Sequence, residues 1–227
     1  MISKIWCVSD THGKHGFLKT PDNIDLFIHA GDLGIVKSPH LNINGVLDTL
    51  EWIKSLPIKN KIVIAGNHDT SIEHKLIDMT KYYSDFHYLE HDSIVIEELK
   101  IFGSPYTPSF GVGWAFNKAR HKLYDYWQDI NEDTDIIVTH GPPAGILDHT
   151  ECDAVGERHV ISCGCKALLK RVKKINPKLM VFGHIHSEEN CHNAGIMQIS
   201  GLKIKFVNAS VVDLNHEFNN NGQIIEI

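Results

Sequence analysis

The 227-residue sequence lacks long apolar runs, a basic excess and the cysteine pattern of a disulfide-rich protein. No stretch approaches the ~20 apolar residues that a membrane-spanning helix needs, so we expect no membrane partner. The N-terminal segment is unlike a secretory signal peptide, because its apolar part is short and runs directly into Asp10. These absences predict a cytoplasmic protein.

The charge balance argues against a protein that binds long nucleic acid. The formal net charge is −6, whereas such proteins usually carry a basic surface. The one basic run, at 166–174, has apolar residues at helical spacing, which is typical of the solvated face of a helix. We therefore do not expect long nucleic acid as a partner.

The five cysteines predict reduced thiols. Their number is odd, and a chain of this length buries enough apolar surface to fold without crosslinks. Cys163 and Cys165 flank a single glycine, and no second cysteine pair completes a zinc site.

The apolar pattern alternates between strands and helices, without a linker or repeat, and predicts a single domain over 1–227. The predicted strands lie at 5–9, 26–30, 61–65, 88–89, 94–99, 101–103, 135–139, 179–182, 197–200, 202–207 and 223–227. The predicted helices lie at 45–56, 70–82, 113–127 and 163–175, the second opening on a capping box from Thr70 to Glu73. Early βαβ units and later strand-rich segments predict an α/β fold, a four-layer α/β/β/α sandwich of two mixed sheets flanked by helices.

Metal-ligand side chains follow five of the predicted strands. In open α/β sheets, ligands bind just beyond the carboxyl ends of the strands, so these five segments are expected to meet. Any one of them also occurs in ordinary turns, but the five in this order indicate a shared metal centre. The segments are Asp10-Thr11-His12, Gly31-Asp32, Gly66-Asn67-His68-Asp69, Thr139-His140-Gly141 and Gly183-His184-Ile185-His186.

The residue types in these segments indicate the kind of metal. Imidazole nitrogens mixed with carboxylate and amide oxygens suit Mn, Fe or Zn better than Ca. A shared carboxylate, for which Asp32 is the candidate, can bridge two ions at roughly 3.5–4 Å. Glycines at 31, 66 and 183 remove side-chain bulk beside a crowded centre. Of the 16 histidines, five lie in these segments, and we assign no catalytic role to the others.

The five segments resemble the calcineurin-like metallophosphoesterases, and the resemblance covers nearly the whole chain. Segments 100–106, 114–117, 139–143, 147–148, 164–165, 177–179, 182–186 and 207–210 are similar to one subgroup, the metallophosphoesterase-domain-containing proteins related to cyclic nucleotide phosphodiesterases. The resemblance implies a first metal held by Asp10, His12, Asp32 and His186, and a second held by Asp32, Asn67, His140 and His184. It implies that His68 lies beside the phosphate and that Asp69 fills the acidic position after it, which makes both residues catalytic candidates. The alternative for Asp69 is a carboxylate stabilised by a helix N-terminus.

The resemblance implies a dinuclear-metal phosphodiesterase acting on small phosphodiesters, with cyclic nucleotides the first choice. We expect two divalent ions per chain, Mn first and Fe or Zn as alternatives. A hydroxide bridging the ions would attack phosphorus in line, and His68 would donate a proton to the leaving oxygen. Presence of His186, which some subgroup members lose, favours activity. The residues after Asp32 lack the Asp-Arg-Gly of protein Ser/Thr phosphatases, which disfavours that activity.

Several alternatives stay open at this point. The same fold could serve a phosphomonoesterase or a nuclease, or a weakly active scaffold that binds nucleotide. The partner we expect is a small phosphodiester or nucleotide, and a homodimer is compatible with the sequence. Tyr106, Trp114 and Asn117 are candidates for the substrate side, with Trp114 stacking on a base, although aromatic residues at such positions more often belong to a core.

Overall fold

The computed structural model describes residues 2–154 and 157–227, with backbone alone at 153, 154, 157 and 158. The strands are β1 Lys4–Val8, β2 Leu26–Ala30, β3 Asn60–Ile64, β4 His87–Tyr88, β5 Asp92–Ile96, β6 Leu99–Ser104, β7 Thr107–Pro108, β8 Asn117–Lys118, β9 Ile136–Thr139, β10 His149–Ala154, β11 Glu157–Ser162, β12 Leu179–Phe182, β13 Gly195–Gln198, β14 Lys205–Asn208 and β15 Gln223–Glu226. The α-helices are α1 Pro39–Ser55, α2 Thr70–Glu73, α3 Leu123–Tyr126 and α4 Lys166–Ile175. Short 3₁₀ turns lie at His15–Phe17, Met79–Tyr82, Arg120–Lys122 and Trp127–Asp129.

Two large mixed sheets form the centre of the molecule. The first has the order β15-β1-β2-β3-β4, in which β1 to β4 are parallel and β15 is antiparallel to β1. The second has the order β13-β14-β12-β9-β6-β5, with four parallel strands in the middle and an antiparallel strand at each edge. Both sheets are therefore built around parallel strands whose carboxyl ends share a direction.

Three apolar cores separate four layers. Alternate residues of a strand face opposite sides of its sheet, and β2 shows the consequence. Leu26 and Ile28 pack between the sheets, against Val138 of the second sheet. Phe27 points outward and packs with residues of α1 such as Leu50. A third core lies between the second sheet and α4. The predicted α/β/β/α sandwich is confirmed.

The predicted helix over 70–82 is wrong beyond its first turn. The residues of the expected capping box make tertiary contacts: the hydroxyl of Thr70 donates to Lys37 O at 3.0 Å, and Glu73 accepts the Phe116 N–H at 2.7 Å. Lys75 then adopts a left-handed conformation with φ 55°. Because such a conformation interrupts an α-helix, α2 ends at Glu73 and only a 3₁₀ turn follows at Met79–Tyr82.

The predicted helix over 113–127 is also largely wrong. Phe116 has φ 51°, and its carbonyl accepts the N–H of Thr107. Asn117–Lys118 then pairs with Thr107–Pro108 as a short parallel ladder. One α-helical turn, α3, remains between two 3₁₀ turns.

Other differences concern the ends of elements. The predicted strand at 94–99 is divided by a two-residue turn, where Glu97 and Glu98 have φ 50° and 78°, as in a tight hairpin. Helix α1 begins at Pro39, six positions before the predicted start at Gly45, and Pro39 occupies the first-turn position that proline tolerates. Helix α4 begins at Lys166, with the Cys165 thiol accepting the Leu168 N–H.

The hairpin of β10 and β11 was not predicted from the sequence. Its strands pair antiparallel from His149↔Ser162 to Ala154↔Glu157. Within residues 2–154 and 157–227, no helix has both the length and the apolar character needed to cross a bilayer.

Candidate metal centre

Seven metal-ligand side chains converge at one rim of the two sheets. They lie in the loops after β1, β2 and β3 of the first sheet and after β9 and β12 of the second. Because neighbouring parallel strands end at the same edge, the loops that follow them are brought together. The seven residues are Asp10, His12, Asp32, Asn67, His140, His184 and His186.

Short distances join side chains from different loops. The Nε2 atom of His140 lies 2.8 Å from Oδ1 of Asn67 and 3.3 Å from Oδ2 of Asp32. Nε2 of His186 lies 3.4 Å from Oδ1 of Asp10. Among these seven residues, donor atoms within 4.8 Å of one another form two groups, Asp10 with His12 and His186, and Asp32 with His140 and His184. A further group joins His12 to His68 and His216.

Three of the histidines are oriented by hydrogen bonds to backbone carbonyls. Since a carbonyl only accepts, each Nδ1 carries the proton and donates it. The acceptors are Gly34 O for His12 at 2.9 Å, Ala30 O for His140 at 2.9 Å and Asp213 O for His186 at 3.1 Å. This arrangement fixes the ring and the tautomer and directs Nε2 into the site, as in many metal-binding histidines.

Glycines allow the loops to approach one another, as the sequence predicted. A Cβ atom at Gly31 would lie 2.7 Å from Nδ1 of His140, and one at Gly66 would lie 2.6 Å from Cε1 of the same ring. A Cβ atom at Gly183 would overlap the carboxylate of Asp10. Side chains at these three positions are therefore incompatible with the observed packing.

Four of the converging residues have a left-handed backbone. The φ angles are 55° at Asp10, 45° at His12, 57° at Asp32 and 70° at His184. Non-glycine residues rarely adopt this conformation, which costs of order 1–3 kcal/mol for each residue, and such residues cluster at functional sites. The surrounding fold therefore holds these side chains in place at a conformational cost.

Burial and mutual charge determine the protonation of the site. Burial alone would raise the pKa of Asp10, but the neighbouring imidazoles hold that pKa below its usual range. Burial lowers the pKa of His12 and of His184 to about 3, so each ring is neutral and retains a lone pair. Burial also opposes protonation of His140, but the Asp32 carboxylate outweighs it and raises the pKa of His140 to about 9.

These groups fit divalent cations. Nε2 of His12 is buried and has no hydrogen-bond partner in the described part of the chain. A buried polar atom without a partner is costly, and a cation would satisfy it. Imidazole, carboxylate and amide oxygen donors together suit Mn, Fe or Zn. At His140, a cation would take the place of the proton that Asp32 stabilises.

The sequence model of the calcineurin-like phosphoesterase family matches residues 3–188. The chain belongs to this family. The family resemblance predicted from the sequence is thereby confirmed, and it implies a metal-dependent phosphoester hydrolase with a dinuclear centre.

Individual relatives support the same subgroup. Metallophosphoesterase domain-containing protein 1 of Homo sapiens is 33% identical over 246 residues, covering 97% of this chain and 70% of that protein. UPF0046 protein C25E10.12 of Caenorhabditis elegans is 31% identical over 227 residues, covering 91% and 74%. The crystal structure of TT1561 of Thermus thermophilus has a TM-score of 0.54 at 13% identity, covering 92% of this chain and 90% of that chain, which is a similarity of fold.

His68 of this phosphoesterase borders a cavity of about 200 Å³ beside the two donor groups. Its Nδ1 donates to Ile35 O at 2.8 Å, which leaves Nε2 as the ring nitrogen available to a substrate. Its backbone N–H donates to Oδ1 of Asp32 at 2.7 Å. The position of His68 is therefore coupled directly to a candidate metal ligand. The cavity is lined by Asp32, Asn67, His68, Phe110, Trp114, Thr150, His184, Ile185, His186, Glu188, Leu214 and His216.

Asp69, which we grouped with His68 as a catalytic candidate, lies behind the phosphoesterase site and does not line this cavity. Its buried carboxylate accepts the N–H groups of Leu33 at 3.0 Å, Gly34 at 3.1 Å and Gly66 at 2.7 Å. Burial and the charge of Asp32 raise its pKa to about 7. These contacts connect the loops after β2 and β3, so Asp69 is a positioning residue. Asp69 precedes α2, but its side chain makes no capping hydrogen bond to that helix.

Of the three other substrate-side candidates, one lines the cavity and two do not. Trp114 lines the cavity, with its ring centroid 4.7 Å from that of His68. Tyr106 instead packs against Phe116, at 5.6 Å between ring centroids. The side-chain amide of Asn117 binds backbone atoms of the adjacent loop. Tyr106 and Asn117 therefore do not line this cavity, and Trp114 is the one of the three candidates that does.

Phe110 and His216 are among the cavity residues that were missed from the sequence. The ring of Phe110 lies 5.0 Å from that of His184. The ring of His216 lies 4.5 Å from that of His12 and 5.9 Å from that of His68. Both lie in loops that carry no recognisable motif, and only long-range folding brings them to the site.

Proposed function

We propose that this chain is a two-metal phosphodiesterase that hydrolyses small phosphodiesters, with cyclic nucleotides the first class to test. The observation that supports the proposal is the convergence of seven metal-ligand side chains around His68 and one cavity. A phosphoesterase needs a cation site, a group that protonates the leaving oxygen and space for the phosphate. The chain offers a candidate for each of these requirements.

The two ions would divide the ligands between them. Asp32 would be shared, because its carboxylate lies 3.3 Å from Nε2 of His140 and 3.8 Å from Nε2 of His12. Bound divalent ions lower the pKa of a coordinated water to ~7 in favourable cases and neutralise developing phosphate charge. Mn is our first choice, with Fe or Zn as alternatives. The first ion would take Asp10, His12, Asp32 and His186, and the second Asp32, Asn67, His140 and His184.

His68 would protonate the leaving oxygen. Its Nδ1–H donates to Ile35 O, so the ring would act as an imidazolium, with a second proton on Nε2 that passes to the leaving oxygen and leaves a neutral imidazole. The N–H···Asp32 hydrogen bond fixes the backbone of His68 beside the metal centre. A general acid held in this way contributes about 10²- to 10⁴-fold to the rate.

The surroundings of the cavity favour a small substrate over a nucleic acid chain. A neighbouring cavity of about 490 Å³ shares Glu188 and Leu214 with the first. Its lining includes the carboxylates of Glu151, Glu189 and Asp213 as well as Glu188. A polynucleotide that continued into this space would meet like charge, whereas a small diester would not extend into it. This charge pattern disfavours the nuclease alternative.

A substrate panel separates the proposal from its alternatives. Protein supplied with Mn, Fe, Zn or Mg would be assayed with bis-p-nitrophenyl phosphate, p-nitrophenyl phosphate, cyclic AMP and a single-stranded oligonucleotide. We expect metal-dependent hydrolysis with higher kcat/KM for the diester than for the monoester, and turnover of cyclic AMP. Faster hydrolysis of the monoester would indicate a phosphomonoesterase, and preference for the oligonucleotide a nuclease. No turnover with any metal would contradict an enzymatic role.

A further inference from the structure

Phe110 is an exposed aromatic ring at the edge of a mainly polar site. About half of the residue is accessible, at 49%, yet its ring centroid lies only 5.0 Å from that of the candidate ligand His184. Leu214, 58% exposed, lines the same cavity. An aromatic side chain left in water forgoes the favourable free energy of burying its apolar surface. A ligand that covered Phe110 would recover part of that free energy.

The loop that carries Phe110 is tied to the metal centre. The Phe110 N–H donates to the side-chain oxygen of Asn117 at 3.3 Å. Nζ of Lys37 donates to Val112 O at 2.7 Å. The Ala115 N–H donates to the carbonyl of the candidate ligand Asn67 at 3.0 Å. The ring is therefore held at a defined position relative to the metal-ligand cluster.

Trp114 packs against the ring of Phe110. Its centroid lies 5.6 Å from that of Phe110 and 4.7 Å from that of His68. Nζ of Lys37 lies 4.3 Å from the Trp114 ring centroid, within cation–π range. Trp114 is thus engaged by three neighbours, and of the two aromatic rings Phe110 has the larger exposed fraction.

We propose that Phe110, backed by Trp114, is a stacking subsite for a planar aromatic group carried by the phosphoester substrate. The inference rests on the proposed function, since it places the phosphate at the metal centre and the aromatic group beside it. A nucleobase is the biological group with this chemistry. Stacking on an aromatic side chain recognises any base through its flat face.

The test compares two ligands that share a sugar phosphate and differ in the base. Calorimetry would measure the Kd of adenosine 5′-monophosphate and of ribose 5-phosphate for the Mn-loaded wild-type protein and for three variants. The variants are Phe110→Ala, Phe110→Trp and, as a matched control, Phe17→Ala. Phe17 is 61% exposed and does not line the cavity.

We expect wild-type protein to bind the nucleotide at least about tenfold more tightly than the sugar phosphate, as stacking of one base would give. In Phe110→Ala this ratio should fall to within about twofold, while Phe110→Trp and Phe17→Ala should preserve it. Equal affinities in the wild-type protein, or an unchanged ratio in Phe110→Ala, would overturn the subsite.

The binding readout needs no turnover, so the subsite and the proposed function can fail separately. A Phe110-dependent preference without hydrolysis of any diester would retain the subsite and reject the phosphodiesterase. Hydrolysis without that preference would retain the phosphodiesterase and reject the subsite.

Discussion

The histidines at the metal centre differ in what holds their rings. His12, His140 and His186 each donate from Nδ1 to a backbone carbonyl, which turns Nε2 towards the donor groups. His68 is held in the same way by Ile35 O and, like His186, borders the cavity. His216 lines the cavity without a ring hydrogen bond to any described residue, and its neighbours are other imidazoles. We infer that His216 faces substrate.

His68→Ala should reduce kcat for a diester by about 10²- to 10⁴-fold, because the leaving oxygen loses its proton donor. The metal content should stay at the wild-type value, since the candidate ligands are untouched and the backbone N–H to Asp32 remains. Steady-state kinetics and elemental analysis of the same sample provide the two measurements. His40→Ala, on the exposed face of α1, is the control. Unchanged kcat would remove His68 from the reaction.

His216→Ala should raise KM for a diester by about tenfold, the worth of one hydrogen bond to a charged group. His216→Gln, which keeps a donor, should restore part of the affinity. Metal content should not change in either variant, because His216 is outside the seven candidate ligands. Loss of one ion in His216→Ala would instead make this residue a ligand, and wild-type KM would show that it has no role.

At the scale of elements, the loops that follow the strands hold the candidate ligands and are joined to one another by hydrogen bonds. Asp69 joins the loop after β2 to the loop after β3 through three backbone N–H groups. The N–H of His184 donates to the carboxylate of Asp10, which joins the loops after β12 and β1. Movement of one loop would therefore displace ligands of both candidate ions.

Gly66→Ala should abolish or strongly weaken metal binding. The new Cβ would lie 2.6 Å from Cε1 of His140, so the loop or the ring must move. Gly45→Ala in α1 is the matched control, since nothing lies within 4 Å of its Cβ position. That control should stabilise the protein by ~0.5–1 kcal/mol, because alanine is the better helix former. Wild-type metal affinity in Gly66→Ala would show that the loops are not tightly constrained.

The sequence predicted the elements that are buried and regular. β2 and β12 were predicted at their observed bounds, because strands of a parallel sheet that are covered on both faces read as short apolar runs. The helices predicted over 70–82 and 113–127 were largely wrong, because Thr70, Glu73 and Phe116 use polar or backbone groups in contacts distant in sequence. Local pattern carries no information about those partners.

The same distinction applies to the site. The candidate ligands stand in short motifs after strands, so their grouping could be predicted and the structure brings them together. Phe110 and His216 could not be predicted, because the positions of their loops depend on contacts between distant segments, such as Lys37 with Val112 and the Leu214 N–H with Ser187 O. No motif records either contact.

At the scale of the whole molecule, the candidate centre lies where the two sheets meet, and each sheet contributes ligands. Metal binding would therefore link the sheets and stabilise the native state. Ligands that bind only the folded chain raise its stability in proportion to RT ln(1 + [L]/Kd). Removal of metal should correspondingly lower the unfolding temperature.

Metal affinity should rise with pH. In the metal-free protein burial opposes protonation of His140, but Asp32 raises its pKa to about 9, so a cation must displace a proton at neutral pH. For the ion held by His140, affinity should increase about tenfold per pH unit up to this pKa, where one proton is displaced. The ion held by His186 should follow the same direction, because burial opposes protonation of that ring but Asp10 outweighs it and raises the pKa of His186. His12 and His184, with pKa about 3, add no dependence in this range.

The stability of the metal-free protein should instead fall as pH rises, because of the titration of His140. Its raised pKa contributes stability that is complete below the unfolded value of 6.5 and is lost as pH rises through about 9. Titration of Mn at several pH values and thermal unfolding without metal would measure the two trends. A Kd for Mn that is constant over this range would contradict the assigned protonation.

The most direct test of the account is the metal stoichiometry of the Mn-loaded protein after removal of free ions. Elemental analysis should find two ions per wild-type chain, and fewer than two in Asp32→Asn, which lacks the proposed shared carboxylate. A wild-type chain that retains no ion, or an Asp32→Asn chain that still retains two, would contradict the dinuclear centre.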